Sequence, residues 1–218
     1  MHPITLTIPG PAGYIEPIIE PKKCTCIPWL ARFFMYGFIA AIIYGSIQFD
    51  GSYTLAPSVN YHALGMTLSG ACCGEIILAS LAPSSCSKSI TTYITFGSHM
   101  MGIILGAGGM VAIIYSTSIH LYSVHSWTGI LFCGSWLLQG LTRLTSYTRL
   151  NSFLSKVTYI SGVAACLLGV QEQQAQRMIL PFNQTETSIG ISAPTFSCIT
   201  SVLLIVSSLA TLAAFSFL

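Results

Sequence analysis

Charge is what this sequence has least of. Eight Lys/Arg and six Asp/Glu serve 218 residues, 6% of the chain, where a soluble domain carries about 25%. A globular surface cannot be covered with so few charged groups. The eight cations are also too few to build a track along phosphates, which argues against nucleic acid as a partner. The first 23 residues lack a basic stretch followed by an apolar one, and five prolines interrupt them. They do not read as a secretory signal or as an Arg-rich transit peptide. Residues 1–28 are expected to form an extramembrane arm. No Ser-His-Asp set and no paired carboxylates are visible, since Asp50 and Glu186 lie far apart. No histidine follows position 125.

What the chain does have is apolar length. Apolar residues make up 53% of it, and its mean hydropathy is +0.73. Six runs, approximately 29–49, 60–82, 90–115, 122–142, 153–171 and 194–218, are long enough to cross a hydrocarbon core of about 30 Å. The expected fold is all-α: an integral membrane, six-transmembrane-helix bundle over residues 29–218, with no room for a soluble domain in any loop.

The cations suggest an orientation. Lys22, Lys23, Arg32, Lys88, Arg143, Arg149 and Lys156 fall on one side of six spans, and only Arg177 on the other. Positive residues collect on the cytoplasmic side. Both termini are therefore expected in the cytosol or, in a mitochondrial inner membrane, the matrix. The Asn183 triplet "NQT" falls on the outer side, consistent with a vesicle, plasma or other organelle membrane. The eight cysteines mostly sit inside apolar runs, where thiols behave as small hydrophobes. Cys24 and Cys26 lack nearby ligands to complete a metal site, and a bland or lipid-modified juxtamembrane role suits them better.

The histidines are more informative. His2 lies in the arm. His62 opens the second run and His125 the fourth. Both those helices descend from the outer side, so the two imidazoles share a depth, on the order of 5 Å below the boundary. Spacing alone leaves two readings open. In one the pair ligates a haem axially from facing helices; in the other each ring sits in the interfacial belt beside Tyr61, Tyr122 and Trp127. His99 falls near the middle of the third run, where a buried histidine is satisfied by a neighbouring helix or a ligand. His120 falls in the outer loop, either near a substrate or haem propionate or simply as a loop residue. Glu75 lies deep in the second run, as a functional carboxylate or as a partner of Arg143 or Lys88. The "GIILGAGG" stretch at 102–109 suits close helix approach, or room for a flat macrocycle, rather than a phosphate loop.

"LYSVHSWTGILF", with Gln139 fourteen residues after His125, resembles the fourth helix of the cytochrome b561 family. "NYHALGM" at 60–66 and "CGEIIL" at 73–78 resemble its second helix, and "CLLGVQE" at 166–172 the end of its fifth. The resemblance implies a six-helix transmembrane oxidoreductase with a four-helix haem-binding core, helices 2–5. It implies haem b, with ascorbate as electron donor and monodehydroascorbate or ferric iron as acceptor. His62 and His125 match the axial iron ligands of the haem near the non-cytosolic face; His99 and His120 are further cofactor-binding candidates. Where the family supplies ligands for its inner haem, this chain carries Thr95 and Asn151, and Ala63 replaces the usual proline. The expectation is therefore one outer haem in an electron-transfer protein. The alternative is an accessory or structural subunit of a larger membrane complex with little or no redox role. Besides the lipid bilayer, the expected partners are a second copy of the chain or the subunits of such a complex.

Overall fold

The computed structural model describes residues 26–49, 58–80, 88–116, 123–143, 148–179 and 192–216. Residues 1–25 of the expected arm, His120 and Asn183 lie outside these residues, Cys24 among them, and residues 26–28 of that arm already belong to the first helix. The described chain is helical throughout: α1 (Cys26–Phe49), α2 (Ser58–Ser80), α3 (Lys88–Ser116), α4 (Val124–Arg143), α5 (Thr148–Ile179) and α6 (Ala193–Ser216).

Five of the six helices are long and apolar enough to cross a membrane, as expected of an integral membrane protein. The exception is α4, whose 20 residues include His125, Gln139 and two tryptophans. Gln139 and Trp136 are buried against other helices, while Trp127, Leu131, Leu137 and Leu141 are exposed. The polar content of α4 thus goes inward, which lowers its average hydropathy without placing that content in lipid. α5 differs most from the sequence expectation. It begins at Thr148, and its 32 residues continue through "QEQQAQ", both in segments read from the sequence as loop. Gln, Glu and Ala are good helix formers, so the helix continues once the apolar stretch ends. Its length of about 48 Å exceeds the roughly 30 Å hydrocarbon core, so part of it must project beyond.

Four helices form a ring in which α2 packs on α3 and α5, and α4 packs on α5 and, more sparingly, α3. α2 and α4 are therefore diagonal to each other. α1 and α6 pair together and flank α2 and α5, joined by the Ser207 hydroxyl donating to the Ala31 carbonyl at 3.1 Å. The α2–α3 seam is the tightest and uses the α3 glycines. A Cβ at Gly65 would stand 2.8 Å from the Leu105 carbonyl oxygen and 3.0 Å from the Gly109 Cα. The Ser69 hydroxyl donates to the Gly102 carbonyl at 2.8 Å. The glycine-rich stretch thus permits close backbone approach.

The side chains of Arg143 and Lys88, the partners expected from the sequence, lie outside what the structure describes; Glu75 finds its partner on α1. Its carboxylate accepts from Arg32 Nε and Nη2 at 3.0 Å and from the Tyr36 hydroxyl at 2.9 Å. The Arg32 guanidinium also lies 5.5 Å from the Trp29 ring. Sequence spacing had no access to this partner, because it sits 43 residues earlier on α1. A double-mutant cycle on Arg32→Ala and Glu75→Ala, read by thermal unfolding in detergent, is expected to give a coupling of about 0.5–3 kcal/mol. A coupling of zero would mean that the pair does not help to hold α1 on α2.

Candidate cofactor site

The Ser123 hydroxyl accepts from the Ser126 amide at 3.3 Å, which makes Ser123 the N-cap of α4. The cap fixes the start of α4 and sets His125 in its first turn. His62 occupies the equivalent end of α2, in its second turn. The diagonal arrangement brings the two side chains together: their ring centroids are 6.0 Å apart and their planes cross at 82°.

Both imidazoles are anchored in the same way. The His62 Nδ1–H donates to the Gly109 carbonyl of α3 at 2.9 Å. The His125 Nδ1–H donates to the Ala165 carbonyl of α5 at 2.9 Å. These bonds fix the tautomer and leave Nε2 as the nitrogen with a lone pair. Metal-bound histidines are commonly oriented by such an outer hydrogen bond. Two imidazoles on opposite sides of one metal, each with a bond of about 2.1 Å, place their ring centroids roughly 6 Å apart. No group of three or more His, Cys, Asp or Glu side chains converges among the described residues; axial ligation of a haem needs only two.

The pair lines a cavity of about 550 Å³, within the range of about 300–1,000 Å³ typical of cofactor pockets. Its walls are mainly apolar, with Met66, Met110, Phe132 and Val170 among them, while Ser126, Glu172 and Gln173 bring polar groups to the histidine end. The Ser123 hydroxyl also reaches Glu172 Oε2 at 3.3 Å, tying the start of α4 to α5. Gly129, one turn beyond His125, lines the cavity and is buried. A Cβ there would meet nothing within 4 Å, so its missing side chain widens the cavity. These features fit a flat, largely apolar macrocycle held by two nitrogens.

Gly169 is a further positioning residue that sequence reasoning missed. A Cβ there would lie 3.0 Å from His125 Cε1 and 3.4 Å from its Nδ1. Gly169→Ala is expected to turn the His125 ring and weaken the Ala165 hydrogen bond. Outer-sphere losses of this kind lower metal-site affinity by about 10–100-fold. Titration of cofactor into the purified variant would measure that loss, and an unchanged affinity would show that the ring has room to move.

The remaining sequence candidates lie elsewhere. His99 is buried in α3 and stacked on Trp136, with ring centroids 5.2 Å apart and planes at 13°. A Cβ at Gly140 would come within 2.6 Å of His99 Nε2, so α4 closes over that ring. His99 does not line the cavity shared by His62 and His125. His120 is outside the described residues. Thr95 and Asn151 are half-buried on α3 and α5. Gln139 is almost fully buried, and its Nε2 donates to Ser155 Oγ at 2.6 Å, so it ties α4 to α5. The anchoring carbonyls of Gly109 and Ala165 leave no side-chain signature in a sequence. The glycine run at 102–109 was the only available hint of the first.

Comparison with known proteins leaves the reading of this site to its own geometry: no family model matches the chain, and no curated protein matches it.

Proposed function

We propose that this chain is a b561-like membrane haem protein that holds one b-type haem and takes part in electron transfer. The observation that carries the reading is the His62–His125 pair. Two imidazoles stand at the separation a shared iron requires, each tethered through Nδ1 to a helix carbonyl, beside a cavity of cofactor size. When bound, the haem supplies a one-electron ferric/ferrous couple. The protein's part is to hold it. His62 and His125 orient their Nε2 atoms, Gly129 and Gly169 leave space, and the apolar walls exclude water.

In the proposed orientation this site lies near the non-cytosolic face, with both termini in the cytosol or matrix. Thr95 and Asn151, at the positions where the resembled family ligates a second haem, restrict the proposal to one. A single haem near one face leaves much of a roughly 30 Å core without a redox centre. Exchange of electrons on that face, of the ascorbate or ferric-reduction type, is therefore the proposed activity. The same two residues support the alternative of an accessory subunit, which predicts a protein without haem.

The test is the optical and paramagnetic spectrum of purified protein expressed with ample haem. A low-spin, six-coordinate b-type spectrum, reducible by dithionite, is expected. Imidazole planes crossed at 82° further predict a strongly anisotropic low-spin ferric signal, because crossed rings leave two iron d orbitals nearly equal in energy. A high-spin spectrum that changes on adding cyanide would show an open axial position and overturn bis-histidine ligation.

A further inference from the structure

The cavity wall is uneven. Between α2 and α3 the backbones meet at Gly65 and Gly109. Between α4 and α5, Phe132 fills the space beside Gly162, where a Cβ would lie 2.9 Å from the ring. Phe38 and Ile42 of α1, both buried, line the cavity on the α2–α5 side. The α3–α4 wall differs. The contacts that join these two helices among the described residues include His99 on Trp136, the Trp136 Nε1–H donating to the His99 carbonyl at 3.4 Å, Gly102 against Trp136, and His99 against Gly140, all in the half of the molecule away from His62 and His125. In the histidine half, the cavity reaches Met110, Ile113 and Ile114 of α3 and Gly129 and Ile130 of α4. Ile114 is 54% exposed and Ile130 37%, although both line the cavity. That part of the wall is open toward the surface that faces lipid.

We infer that the gap between Ile114 and Ile130 is the passage by which the flat, amphipathic haem enters from the bilayer. The inference rests on the proposed haem site and adds the route to it. The occupant follows from what lies behind the gap: two tethered imidazoles with available Nε2 atoms, in a cavity of macrocycle size. The gap's own walls are aliphatic, and Gly129 contributes no side chain to them. They suit the passage of a planar apolar ring and offer nothing to hold a charged, water-soluble one. The His99–Trp136 stack ties the two helices together at the end away from the gap.

The experiment uses full-length protein made without haem, placed in lipid nanodiscs and given haemin pre-dissolved in vesicles. Appearance of the Soret band reports uptake, and transfer to a haem-free acceptor globin reports release. Ile130→Trp and Ile114→Trp each narrow the gap from one wall. Each is expected to slow uptake and release together by roughly tenfold or more, with the final haem content and spectrum unchanged. Ile160→Trp, on the exposed face of α5 and away from the cavity, is expected to leave both rates as in the parent protein. Unchanged rates in both gap variants would overturn the passage while leaving the haem site standing. So would a fall in final haem content at an unchanged uptake rate, because the residues would then bind rather than admit. A parent protein that takes up no haem overturns the passage and the site together.

Discussion

Alanine at either His62 or His125 is expected to abolish the b-type spectrum and leave the helices folded. Each substitution removes one of two axial nitrogens, and no other described His, Cys or Glu joins them to form a larger ligand group. The loss should exceed the roughly 10–100-fold drop typical of an outer-shell change, leaving no haem after purification. The fold should survive, because the packing around each histidine does not depend on its ring. The α2–α3 seam is held by Gly65, Gly109 and the Ser69–Gly102 hydrogen bond, and the start of α4 by the Ser123 cap. Each variant forgoes one hydrogen bond to a carbonyl, worth about 0.5–1.5 kcal/mol. Circular dichroism and the thermal midpoint of the haem-free forms would check this. His99→Ala supplies the contrast. It removes the stacked partner of Trp136 but no ligand of the proposed haem, so it should cost stability and retain the spectrum. Loss of the spectrum in His99→Ala alone would relocate the haem.

The second large effect is expected at Gly65. Its hypothetical Cβ falls 2.8 Å from the Leu105 carbonyl oxygen and 3.0 Å from the Gly109 Cα. These are backbone atoms of α3, which cannot rotate away as a side chain would. Gly65→Ala must therefore separate α2 from α3, and forced overpacking costs about 1–3 kcal/mol. Valine, being larger, should cost more. The damage should also reach the cofactor, because His62 sits less than one turn away and its Nδ1–H bonds Gly109, the residue that approaches Gly65. A lowered thermal midpoint and reduced haem occupancy are expected together. Gly108→Ala is the control: a Cβ there meets nothing within 4 Å, and alanine favours a helix over glycine by up to about 1 kcal/mol. Equal behaviour of Gly65→Ala and Gly108→Ala would show that the seam is looser than its distances imply.

Much of this was legible in the sequence because a membrane restricts what an apolar run can be. Length alone located the helices, and counting from their ends put His62 and His125 at one depth. Hydropathy does not report how a helix is rotated or which helices are neighbours. The partner of Glu75 was missed for that reason, since Arg32 reaches it from α1. The reach of α5 was missed because "QEQQAQ" is polar, and polarity was read as loop although those residues favour helix. The anchoring groups at Gly109 and Ala165 are carbonyls, identical in every residue type. Gly169 is one of 19 glycines, and only its distance to His125 distinguishes it.

One site of bis-histidine ligation in each chain is tested most directly by the ratio of haem to polypeptide in purified, haem-saturated protein. Extracted haem measured against quantitative amino-acid analysis should give a value near one. A value near two would require a second site that Thr95 and Asn151 were taken to preclude, and a value near zero would contradict the assignment of His62 and His125 as haem ligands.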